Sequence, residues 1–106
     1  MSPASADLSA RFEAAVEVLE SGGWSEGMAL LMNIITEANT SGAHRLEALA
    51  RALLCQALVQ TDQLTEAHAQ AESAFRAAEL SNDRDTIHRC MALRHTLRVL
   101  SGDVAL

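Results

Sequence analysis

The chain has 106 residues, of which 49% are apolar but only 3% aromatic, and it carries a formal charge of −6. That length makes one domain, able to withdraw roughly 65% of its unfolded surface from water without a metal or disulfide staple. The negative charge repels phosphate backbones and so argues against a general nucleic-acid binder.

Residues 5–21 form the first expected helix. Leu8, Phe12, Ala15, Val16 and Leu19 recur at spacings of three and four, as one helical face requires, and Gly22-Gly23 ends it. The same period runs through Trp24, Met28, Leu31, Ile34, Ile35 and Ala38, giving a second helix over 24–40 that closes at Gly42, a residue free to adopt the left-handed conformation. The third, over 43–61, carries Leu46, Leu49, Ala50, Leu53, Leu54, Ala57 and Leu58. At its end the side chain of Thr61 or Asp62 is expected to cap the next helix. The fourth spans 64–81 with Ala67, Ala71, Ala74, Phe75 and Ala78 on its inner stripe. The fifth spans 83–101, with Asn82 as its expected N-cap and Ile87, Cys90, Met91, Leu93, Leu97 and Leu100 as its apolar face. No strand alternation competes, and Pro3 is the only proline, so the expectation is all-α. Short loops make successive helices antiparallel neighbours.

The phrase Gly22-Gly23-Trp24-Ser25-Glu26-Gly27 recurs as Asp62-Gln63-Leu64-Thr65-Glu66-Ala67, an interval of 64 − 24 = 40 residues. A fixed period of 20–50 residues marks a helical repeat whose units bury their apolar faces on one another. Ala15, Gly22, Trp24 and Glu26-Gly27 in the first unit, and Cys55, Asp62, Leu64 and Glu66-Ala67 in the second, form a pattern that resembles the tetratricopeptide-repeat family in a long-period variety. The resemblance implies a right-handed stack of antiparallel helix pairs, two repeats plus a C-terminal capping helix, with Gly27 and Ala67 where paired helices cross most closely. Ser101-Gly102-Asp103-Val104 then reads as a third turn without its second helix. Ile34, Arg94 and His95 depart from the family pattern, and the period also touches that of HEAT and armadillo repeats.

The resemblance further implies a groove on the first helix of each pair, lined by Phe12, Val16, Leu19 and Glu20, by Ala52, Gln56, Val59 and Gln60, and by Arg89, Thr96 and Val99. The Lys and Asn carboxylate clamp of some family members is absent, so an extended or helical segment with apolar anchors is the expected occupant. A protein or peptide partner is therefore the leading expectation, for an adaptor or scaffold without chemistry of its own. The alternative is a homodimer that uses Ile87, Met91, Leu97 and Leu100 of the last helix. Glu13, Glu17 and Glu20 on the first helix face Arg84, Arg89, Arg94 and Arg98 on the last in sign, which would favour self-association or would be ordinary solvation.

Chemical constellations are sparse. His88, Met91 and His95 share one face of the last helix, yet no further ligand is spaced to complete a metal set, and His44 and His68 are expected to face solvent. No Gly-x-Ser-x-Gly elbow or phosphate loop occurs, so neither catalysis nor a cofactor is expected. Cys55 and Cys90 lack a CxxC spacing and read as buried reduced thiols. No run approaches the ~18 apolar residues of a membrane span, and residues 1–10 show no leader pattern, which makes a cytoplasmic location the default. All eight cations are arginine, a composition that hints at a GC-rich bacterial gene.

Overall fold

A computed structural model describes the backbone of residues 3–102 and the side chains of residues 7–102. Five helices follow one another: α1 Pro3–Glu20, α2 Trp24–Ser41, α3 His44–Gln60, α4 Leu64–Ser81 and α5 Arg84–Leu100, with no strand among the described residues. The all-helical expectation holds, with each boundary within three residues of its predicted place. The Asp103-Val104 part of the expected third turn lies outside the described residues.

The turns show the repeat more regularly than the sequence does. Left-handed residues fall at Gly22, Gly42, Asp62, Asn82 and Gly102, one every 20 positions, so the 40-residue period is two helices of nearly equal length with equivalent turns. At the ends of α1 and α3 the hydrogen bonds repeat partner for partner. The amide of Gly23 donates to Val18 O at 2.9 Å and that of Gln63 to Leu58 O at 2.8 Å, while Gly22 donates to Leu19 O and Asp62 to Val59 O. These six-to-one and five-to-two bonds satisfy carbonyls that the helix end would leave open.

Two expected caps are corrected. Asn82 does not cap α5; it takes the left-handed conformation (φ 59°) that ends α4. Asp83, with extended backbone, precedes α5 instead, and its carboxylate accepts bonds from the Thr86 hydroxyl and from Arg45 Nε at 3.1 Å. Those two bonds, the Thr86 hydroxyl first and the Arg45 guanidinium second, hold the Asp83 carboxyl below its ordinary value. Neither Thr61 nor Asp62 caps α4: the Thr61 hydroxyl donates back to Ala57 O at 3.0 Å, and Gln63 precedes Leu64, the first residue of α4, without a side-chain cap. With one residue between the left-handed position and the next helix, closing the old helix takes precedence over opening the new one.

Helices α1, α3 and α5 lie side by side in one layer, and α2 and α4 in a second. Consecutive helices pack together, α3 also touches α1 and α5, and α2 does not reach α4. The shortest dimension, 19 Å, is that of two helix layers about 10 Å apart. The larger core joins α1, α2 and α3 through Leu8, Ala15, Leu19, Leu31, Ile34, Leu54 and Leu58, and reaches Leu97 of α5. The smaller one, between α3, α4 and α5, is built of Ala48, Ala52, Ala74, Ala77, Ala78 and Cys90. Alanine at these positions lets the three backbones approach closely while keeping strong helix propensity.

On its side facing α2 and α4, α3 carries a polar clamp that the hydrophobic pattern does not announce. Glu47, 5% exposed, accepts from Asn39 of α2 and from Arg51 Nε at 2.9 Å, and Arg51 in turn donates to Gln70 of α4, also at 2.9 Å. A buried carboxylate without these donors would be strongly unfavourable.

Candidate functional site

The face of the α1, α3, α5 layer turned away from α2 and α4 is a groove with α3 as its floor. Residues Leu49, Ala52, Leu53, Gln56, Val59 and Gln60 of α3 point into it because they recur at helical spacing on the side opposite Glu47 and Arg51. On the α1 side, Val16, Leu19, Glu20 and Trp24 join Leu53, Gln56, Ala57 and Gln60 around a cleft of about 330 Å³. On the α5 side, Arg89, Leu93, Thr96, Leu97 and Leu100 join Ala52, Gln56, Val59 and Gln60 around one of about 410 Å³. A third cleft of about 230 Å³ lies at mid-height between Phe12 and Val16 on one wall and Arg89 on the other. Shared residues make the three continuous, and Gln56 belongs to all of them.

Ten of the eleven residues expected to line a groove therefore do line it; Val99 is half-buried and lies outside these clefts. Two of the ten, Leu19 and Ala52, are buried floor and not projecting contacts. Trp24, Leu53, Leu93 and Leu100 are among the further lining residues, although sequence reasoning gave them other roles. The signal for Leu53 was present: Leu49, Leu53, Gln56 and Gln60 stand at spacings of four, three and four on one stripe of α3.

The four residues expected at a dimer face do not share one exposed face of α5. Leu97 is 1% exposed and belongs to the larger core, and Ile87 packs against the alanine-rich cluster. Met91 and Leu100 are exposed but nine residues apart, which at about 100° per residue puts them on opposite sides of α5. Burial of the inner stripe thus leaves Leu100 to the groove and Met91 to the outer surface beside the exposed His88 and His95.

The charge contrast between the end helices is also smaller than the sequence implies. Arg94 lies over the Phe75 ring, 4.1 Å from its centroid, and both Arg94 and Arg98 approach Glu72 of α4. Arg11 pairs with Glu37 and Asp7. In the groove, by contrast, Glu20 on the α1 wall and Arg89 on the α5 wall make no ion pair among the described residues. The amides of Gln56 and Gln60 likewise make no hydrogen bond among the described residues, whereas Gln63 and Gln70 each do.

The remaining candidates fall elsewhere. Cys55 and Cys90 are fully buried, and burial pushes the Cys55 thiol up to about 11 and raises that of Cys90, so both are held as thiols, not nucleophilic thiolates. His68 is half-buried and hydrogen-bonded to the Ser101 hydroxyl, and His44 is half-buried with its Nδ1 enclosed and unbonded, so neither simply faces solvent. Among the described residues no three His, Cys, Asp or Glu side chains are grouped to hold a metal ion. No described helix is long and apolar enough to cross a membrane.

Compared with protein-family models, with curated proteins and with solved structures, the chain finds no match.

Proposed function

We propose that this protein is a non-catalytic binding module, an adaptor or scaffold, that receives a segment of a protein partner in the groove of α1, α3 and α5. One observation carries the reading: two glutamine amides without partners among the described residues, Gln56 and Gln60, stand exposed between two apolar clefts. Apolar recesses supply affinity and a few placed polar groups supply orientation, the combination expected of a recognition surface. The resemblance to tetratricopeptide repeats, with its groove on the first helix of each pair, supports the same face.

Selection of peptides from a random displayed library, followed by titration against Gln56→Ala/Gln60→Ala, tests the reading. The expected result is a fall in affinity of about tenfold with unchanged helicity, the scale of one or two lost hydrogen bonds at a binding site. Both side chains are exposed, so their truncation leaves the core intact, whereas Phe12 packs against the core and would confound stability with binding. Selected peptides that bind the double variant as tightly as the parent would place recognition elsewhere.

A further inference from the structure

We infer that the groove takes an extended segment that places a cationic side chain against Glu20, two apolar side chains in the clefts flanking α3, and a carboxylate against Arg89. This rests on the groove being the binding face and adds the occupant's conformation, length and charge placement.

Conformation follows from the amides. Gln56 and Gln60 lie one helical turn apart on α3, between the α1-side and α5-side clefts, and each offers both a donor and an acceptor with no partner of its own among the described residues. A helical ligand satisfies its own backbone and meets them only where it carries a suitably placed polar side chain. An extended one presents open N–H and C=O groups along its length, which is what a pair of amides can bind.

Length follows from the layer. The two clefts flank one helix, so their centres stand about one interaxial distance, 8–10 Å, apart. At about 3.3 Å per residue, the apolar anchors are then two or three residues apart. Glu20 lines only the cleft that ends at Gln60, at the C-terminal end of α3, while Arg89 lines both the α5-side cleft and the mid-height one with Leu49 and Ala52. Crossing two helix spacings with that offset makes roughly 20 Å, about six extended residues between the two charges.

Charge placement follows from the walls. Glu20 and Arg89 are both exposed and line opposite sides. Arg11 is engaged with Glu37, and Arg94 and Arg98 with Glu72, while Arg84 makes no ion pair among the described residues but lines none of the three clefts. The overall charge of −6 would attract basic peptides without any site, so the diagnostic half of the code is the preference for an acid beside Arg89, which the net charge opposes.

Peptides of twelve residues selected from a random library on the intact chain provide the test. The expected winners carry opposite charges about six residues apart around two apolar positions. Replacing the cationic side chain of a winner by alanine weakens binding to the parent about threefold but leaves binding to Glu20→Gln unchanged, and replacing the acidic one does the same for the parent and Arg89→Gln, the scale of an exposed ion pair. No loss in the parent, or an equal loss in the matching variant, overturns the charge code even where Gln56→Ala/Gln60→Ala still weakens binding about tenfold and the groove stands. A library that yields no peptide sensitive to the glutamine variant overturns both.

Discussion

Gly27 of α2 lies so close to Leu19 of α1 that a β-carbon at position 27 would stand 2.5 Å from Leu19 Cδ2. The pair fixes the crossing of the first two helices, and because Leu19 also floors the α1-side cleft, the same contact sets the shape of the groove. Gly27→Ala gains up to about 1 kcal/mol of helix propensity but forces Leu19 to repack, at about 1–3 kcal/mol for an overfilled core. The expected net result is a lower Tm and weaker binding of any ligand that uses the α1-side cleft. A higher Tm would show that Leu19 moves aside freely.

Leu97 and Met91 separate core from surface on α5. Leu97→Ala should destabilise by about 3 kcal/mol, as for other fully buried leucines, whereas Met91→Ala should stay within about 0.5 kcal/mol. Denaturant unfolding measures both. Sedimentation of Met91→Ala adds a second check, since a dimer lost on that change would restore the outer face of α5 as an interface.

The buried pair Glu47 and Arg51 acts as a unit. Removing Glu47 alone leaves Arg51, with only 19% of its side chain exposed, facing Gln70 without its countercharge, and about 3 kcal/mol of stability should be lost. Glu47→Ala/Arg51→Ala should lose clearly less than the sum of the single changes, with a coupling of about 1–3 kcal/mol in a double-mutant cycle. Additive losses would mean that the two charges do not depend on each other.

Alkaline pH isolates the thiols, because the chain has no tyrosine and no lysine. Cys55 ionises at about 11 when folded against 9.0 as an ordinary thiol, and burial raises Cys90 as well. The unfolded chain therefore gives up its thiol protons first. The stabilisation is complete below pH 9.0 and is lost as the pH rises through about 11, by roughly 2–3 kcal/mol for Cys55. Cys55→Ala should flatten that decline, and native protein should react with thiol reagents only as fast as it opens. Rapid labelling at neutral pH would contradict the burial of both side chains.

Much of the architecture was legible in the order of residues, because helices are local. A spacing of three and four marks a face through bonds that close within four residues, and Gly22, Gly42 and Gly102 announce the left-handed turns that only glycine takes without strain. Asp62 and Asn82 complete that 20-residue rhythm and were the readable signal that the 40-residue interval concealed. The lining of the groove was mostly legible for the same reason, since a repeat places equivalent residues on equivalent faces.

Tertiary packing decided what an apolar or charged residue does once its helix exists. Leu97 and Leu100 both line the α5-side cleft, yet Leu97 is buried in the core beneath it and Leu100 stands open on its wall. Glu47 and Arg51 read as an ordinary pair one turn apart until Asn39 and Gln70, 8 and 19 residues away along the chain from their respective partners, close around them. Arg94 reads as solvated charge until Phe75 and Glu72 of α4 meet it. Each depends on which neighbour faces a given side of a helix, a relation between distant segments that the period of a single helix does not contain. For that reason the sequence by itself could give five helices and their turns, while the two exposed amides between apolar clefts, with Glu20 and Arg89 on opposite walls, exist only in the assembled layer.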